Sequence, residues 1–291
     1  VLDSLEQELS RLSQDLDNWA TELPQLHPQT GEALDAGQLF VEHLNRERFM
    51  QQLLRCWRHE TELDGFDDHL EPTYELSLDA PILGELPTLR ADFSHVSVLD
   101  LRGVDGLARL GRFLDAFAHL KRLRLRNFDL GNIPSTVFKL GRLYSLALPN
   151  CGITLTEESA NALAGLELLD YLDLASNPLG RTPDLSQMPD LINLLLDHTG
   201  ITELPNGLLN RAELHWADLS NNAITDVPSD LSEIPTALAE NLHLRNNPLS
   251  EAALQRLVDY YEKTGISFSV DAVNERGESP PLAARETQAD E

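Results

Sequence analysis

Cysteine is nearly absent: Cys56 and Cys151 are the only two in 291 residues, too few and too far apart for a disulfide framework or a zinc site. Positive charge is also scarce, with 22 Lys and Arg against 48 Asp and Glu and a formal net charge of -26. A surface of that sign repels phosphate backbones and anionic membranes, which argues against nucleic-acid and membrane partners. No run of about 18 apolar residues could span a bilayer, and no basic start leads into an apolar stretch with a cleavage site. Catalytic motifs are missing as well: there is no G-x-S-x-G, H-E-x-x-H, P-loop or C-x-x-C. His198, His215 and His243 fall at different points of the pattern described next, so they do not form a metal set. Neither a cofactor nor a catalytic constellation is expected.

What the chain does have is self-similarity. The template L-x-x-L-x-L-x-x-N-x-L starts at Leu120, Leu143, Leu169, Leu191 and Leu214, with a fainter copy at Ala239 and earlier ones at Val96 and Thr73. Successive starts are 22 to 26 residues apart, the leucine-rich-repeat period. Thirteen residues after five of the eight starts a proline pair closes the repeat: Leu86-Pro87, Ile133-Pro134, Thr182-Pro183, Leu204-Pro205 and Val227-Pro228. Proline cannot donate to a sheet ladder, so it belongs to the convex turn. Leucines at template positions 4 and 6 point inward from a short strand, and the residues between them point outward. The fold class that follows is α/β: a solenoid of about eight leucine-rich repeats with a parallel sheet on its concave face. Position 9, usually Asn, is Asn177, Asn222 and Asn247 but Pro81, Val104, Phe128, Cys151 and Thr199 elsewhere, and Cys151 is expected to be a small core residue.

A solenoid needs caps. Residues 1–70 are expected to form a helical N-terminal segment, with Leu2, Leu5, Leu9, Leu12, Leu16, Trp19 and Leu23 on one helix face. A second helix, about Asp35 to Glu60, is expected to bury Phe40, Leu44, Phe49, Leu53, Leu54 and Trp57. Packing of these helices on the repeats, and hence a monomer, is favoured over dimerisation, because three heptads are near the minimum for a coiled coil. Repeats fill 71–249. A closing helix over 250–270 starts at the N-cap Ser250 and stops at Gly265. Residues 271–291 read as a polar linker or disordered tail.

The outward positions give one local anomaly. Lys121, Arg122, Arg124 and Arg126 cluster on one strand beside Arg102, with Tyr144, Tyr171, Asp197 and Trp216 further along the concave face. Arg, Tyr and Trp together are the composition of interface hot spots. These nine residues are the candidate partner-binding site, for a partner that is acidic and apolar. Cross-strand pairing of the arginines with aspartates is the competing reading, whereas the aspartates at template position 5 (Asp100, Asp173, Asp218) are expected to be solvated scaffold. Replacing Arg122, Arg124 and Arg126 by glutamate is expected to leave stability nearly unchanged.

The flanks "LLRCWRHETE" and "NNPLSEAALQRLVDYYEKTG" resemble the leucine-rich-repeat region of bacterial effectors of the novel E3 ubiquitin ligase family, over about residues 45–270. The resemblance implies a target-recognition module of a bacterial virulence protein that is secreted and acts in the host cytoplasm, binding a host or target protein, with a C-terminal ligase domain in the same parent chain. The catalytic cysteine of that family lies in C-x-D. Cys56 is followed by Trp57 and Arg58, and Cys151 by Gly152 and Ile153, so neither inherits the role. This chain is therefore expected not to be an enzyme, and any ligase domain lies beyond Glu291. The alternative is a stand-alone, non-catalytic leucine-rich-repeat scaffold.

Overall fold

The computed structural model describes residues 2–277. Helices α1 (Leu2–Thr21) and α2 (Ala36–Trp57) come first, then strands β1 (Glu62–Phe66) and β2 (Pro72–Asp79). The repeats contribute β3 (Gly84–Glu85), β4 (Val96–Arg102), β5 (Ala108–Arg109), β6 (Arg122–Arg126) and β7 (Ser145–Ala147). Then follow α3 (Glu157–Ala164), β8 (Tyr171–Asp173), β9 (Asn193–Leu195) and β10 (Trp216–Asp218). The chain continues through α4 (Thr236–Asn241), β11 (Leu242–His243), α5 (Glu251–Thr264) and α6 (Asp271–Gly277). The main sheet has nine strands in the order β1-β2-β4-β6-β7-β8-β9-β10-β11. Eight of them, one per repeat, run parallel; β1 alone is antiparallel, against β2.

The register follows from the leucines. Leu76, Leu99, Leu123, Leu146, Leu172, Leu194, Ala217 and Leu242 are paired neighbour to neighbour and all are buried. A slip of one residue would turn that column outward. At the bend leaving the strands of the later repeats, position 9 closes the loop. The Asn177 Nδ2 donates to Leu148 O and Leu174 O (2.8 Å each), and its Oδ1 accepts from the N–H of Cys151 and of Ile153. Asn222 and Asn247 repeat the pattern. Cys151 stands in for it: its Sγ donates to Leu125 O at 3.3 Å and Pro149 O at 3.4 Å. The preceding residue, position 8, is left-handed in six successive repeats: Asn127, Asn150, Ser176, His198, Asn221 and Asn246 have φ between 52° and 60°. Asn tolerates that region better than most residues. Its side chains also bridge repeats, Asn150 to Asn127 and Asn246 to Asn221, at 2.8 Å.

The N-terminal helices pack through part of the face read from the sequence. Leu12, Leu16, Phe49 and Leu53 are buried, whereas Leu2 and Leu5 stay exposed and so does Phe40, which was expected inside. The buried face of α2 instead holds an ion pair, Glu42 with Arg46 at 2.7 Å. Glu42 accepts the Leu83 N–H, and Arg46 donates to Trp19 O, Glu22 O and Leu83 O while lying 4.8 Å from the centre of the Trp19 ring. Periodicity counts Phe40 as apolar and Glu42 as polar; it cannot see that Leu83 and the end of α1 supply this pair with partners. Burial pushes the Glu42 carboxyl above its ordinary value, opposed by the Arg46 hydrogen bond. Phe49, Phe113, Phe117 and Phe93 continue the contact into the repeats, with successive ring centroids 5.1–5.9 Å apart.

At the other end α5 has Ser250 as N-cap, accepting the Ala253 N–H, and stops at left-handed Gly265. The expected polar tail is corrected in its first part: 271–277 forms α6, with Val273 buried and Arg276 paired to Glu251 at 2.7 Å. The remainder, 278–291, lies outside the described residues. Likewise β1 is a strand inside the segment expected to be helical.

Arg46→Ala leaves the Glu42 carboxylate buried without its main partner and is expected to cost about 3–5 kcal/mol in urea denaturation. Leu2→Ala and Leu5→Ala are expected to change stability by less than about 0.5 kcal/mol.

Candidate functional site

The outward residues of the sheet fall into lateral rows, because parallel strands in register place equivalent positions side by side about 4.8 Å apart. Arg122, Ser145, Tyr171, Asn193 and Trp216 form the position-3 row; Asp100, Arg124, Ala147, Asp173, Leu195, Asp218 and His243 form the position-5 row.

The arginines do not stand free. Arg102 pairs with Asp79 at 3.4 Å, and Arg124 and Arg126 pair with Asp100 at 3.9 and 3.6 Å. Arg122 reaches Asp64 at 2.5 Å, and Ser97 donates to the same carboxylate at 2.7 Å. Asp64 sits where the β1–β2 register shifts between Leu63 and Gly65, and such an irregularity re-aims a side chain. Nothing in the sequence marks Asp64, because it lies outside the repeat template and meets Arg122 only when β1 folds back along the sheet edge. Lys121 turns away from this network and lines a cleft of about 310 Å³ with His59, His95, His119 and Arg142. Burial holds the His95 imidazole below its usual value.

The other half of the face is different in character. Tyr144 is half-buried. Tyr171 lies against Arg124, and burial followed by nearby Asp173 raises its hydroxyl. Trp216 is 40% exposed, with His243 against its ring at 4.4 Å, and His243 is in turn fixed by the Ser269 hydroxyl at 2.7 Å. Asp197 touches His198 at 3.0 Å. The structure therefore separates the nominated residues into an aspartate-paired arginine group and an aromatic group, with Arg124 at the seam. The position-5 aspartates also need correction: Asp173 is buried rather than solvated, and burial raises its carboxyl, opposed by the Ala175 N–H.

Among the described residues no group of three or more His, Cys, Asp or Glu could hold a metal ion, and no helix is long and apolar enough to cross a membrane. A groove of about 800 Å³ is lined by the loops at 204–211 and 226–234. Both cysteines are buried, and desolvation pushes each thiol up to about 12.

No protein-family model matches the chain. The crystal structure of human trophoblast glycoprotein superposes with a TM-score of 0.50 at 23% identity, covering 68% of this chain and 77% of that one. Lumican of Rattus norvegicus is 29% identical over 171 residues, 50% of this chain and 50% of lumican. With these matches and eight in-register repeats, the fold is settled. The chain has the leucine-rich-repeat fold. Transforming growth factor beta activator LRRC33 of Danio rerio is 26% identical over 192 residues, 64% of this chain and 27% of that protein. The solenoid thus spans half or less of the length of these two curated relatives.

The glutamate replacements now carry a different expectation. Arg122→Glu places a second carboxylate against Asp64, and chemical denaturation is expected to show a loss of about 1 kcal/mol, smaller at high salt. Native protein is expected to leave both thiols unlabelled by a disulfide reagent, with two groups reacting in denaturant, because the thiolate is the reactive species.

Proposed function

We propose that this leucine-rich-repeat protein is a protein-interaction module whose partner docks on the concave sheet face, and that the chain performs no catalysis itself. The observation that carries the proposal is the aromatic half of that face. Trp216 on β10 and Ile192 just before β9 are about two-fifths exposed. Amphipathic aromatic side chains held by a preorganised scaffold supply binding area at little entropic cost. The arginine half then acts as a pre-paired rim rather than as the acidic-partner site expected from composition.

The narrower reading is that the partner is a host protein and that the solenoid serves a secreted bacterial ubiquitin ligase acting in the host cytoplasm. What supports it is the flank resemblance at 53–62 and 246–265. A reading frame that continues past Glu291 into a helical segment with C-x-D would bear it out, and a stop codon would leave the stand-alone scaffold.

In affinity capture with the purified chain, Trp216→Ala and Tyr171→Ala are each expected to weaken a recovered partner by about tenfold or more with little change in melting temperature. Unchanged affinity in both, with loss on Phe40→Ala or Val41→Ala, would move the site to the exposed face of α2.

A further inference from the structure

Two segments of the concave face are near copies two strands apart: Tyr171-Leu172-Asp173 on β8 and Trp216-Ala217-Asp218 on β10. Between them β9 carries Asn193 and Leu195, in register so that Asn193 lies between the aromatic residues and Leu195 between the aspartates. The two carboxylates therefore flank Leu195 across two strand spacings, about 10 Å. Each uses one oxygen in the same way: Oδ1 of Asp173 accepts the Ala175 N–H and Oδ1 of Asp218 the Ser220 N–H, both at 3.0 Å. No described donor reaches Oδ2 of either residue. Asp173 is more than nine-tenths buried as a residue, and a carboxylate in the low-dielectric sheet face gains when an opposite charge meets it.

The surrounding charges are for the most part paired elsewhere. Asp197, two residues past the end of β9, adds a third carboxylate, and its contact is His198. Arg124 and Arg126 approach Asp173 from the far side but are held by Asp100. Arg245, beyond β10, pairs with Asp271. His243 supports Trp216 from the outer side.

We propose that this site receives a single cationic side chain, an arginine or lysine presented by a partner protein, with its aliphatic stem on Leu195, its charge between Asp173 and Asp218, and the Trp216 and Tyr171 rings alongside. Carboxylates with adjacent aromatic rings suit a desolvated cation. A chain of net charge -26 draws a basic partner by long-range attraction. The inference rests on the concave-face reading and names the chemistry of its occupant, the reverse of the acidic partner that the arginine cluster suggested.

The test uses two peptides, acetyl-Leu-Arg-Leu-Arg-Leu-amide and its counterpart with Glu for Arg, titrated into the isotopically labelled chain. The readout is the Trp216 indole N–H resonance, assigned by its loss in Trp216→Phe and distinct from Trp19 and Trp57, whose Nε1 groups donate to Glu85 O and Glu8. The arginine peptide is expected to shift this resonance saturably, and Asp218→Asn, which keeps the Ser220 acceptor, to weaken it about threefold or more with unchanged melting temperature. A shift by the glutamate peptide alone overturns the cationic occupant while leaving the concave site in place. No shift with either peptide, while a captured partner still requires Trp216, overturns it equally. A captured partner indifferent to Trp216 removes the concave reading itself.

Discussion

No single repeat of this chain can bury its own leucines. Each contributes a strand of two to eight residues whose inward side chains find apolar neighbours only in the repeat before and the repeat after. That constraint fixes the rest: the strands must be parallel and in register, the chain must return along the convex side every 22 to 26 residues, and the two ends must be covered. The polar devices at the bend serve the same end. Asn177, Asn222 and Asn247 satisfy backbone groups that the tight turn would otherwise leave buried and unpaired, and Cys151 performs half of that task with a thiol. A buried unpaired amide costs about 1–3 kcal/mol.

The two caps solve one problem by different means. At the C-terminus α5 and α6 lay an apolar stripe over the last repeat, and Leu244 continues the ladder by donating to Phe268 O. At the N-terminus an aromatic series from Phe49 to Phe93 does the packing, while the Glu42–Arg46 pair binds α2 to Leu83 and to the end of α1 through directional hydrogen bonds. Apolar packing tolerates sliding; a buried ion pair with backbone partners allows one seating of the helices on the repeats.

Once the inner face is closed, function is left to the outer positions of the strands. The rows that the register creates bring together residues 22 to 26 positions apart in sequence, and the sheet spacing decides their chemistry. Arginines opposite aspartates pair off on one half of the face. Aromatics and aspartates repeated with one strand between them leave the other half open.

The repeat number, the parallel sheet, Ser250 and Gly265 at the ends of α5, and the core role of Cys151 were all legible in the sequence, because each depends on local spacing or on residue chemistry that context seldom overrides. The left-handed column at Asn127, Asn150, Asn221 and Asn246 was equally available in the letters. The burial of Glu42 and Arg46, the exposure of Phe40, the helix at 271–277 and the reach of Asp64 to Arg122 were decided by tertiary contacts alone. Hydrophobic period assigns a face to each residue but not the neighbour that face meets. For charged side chains the neighbour decides the outcome, since the same arginine is a binding group when free and a structural one when an aspartate lies within 4 Å.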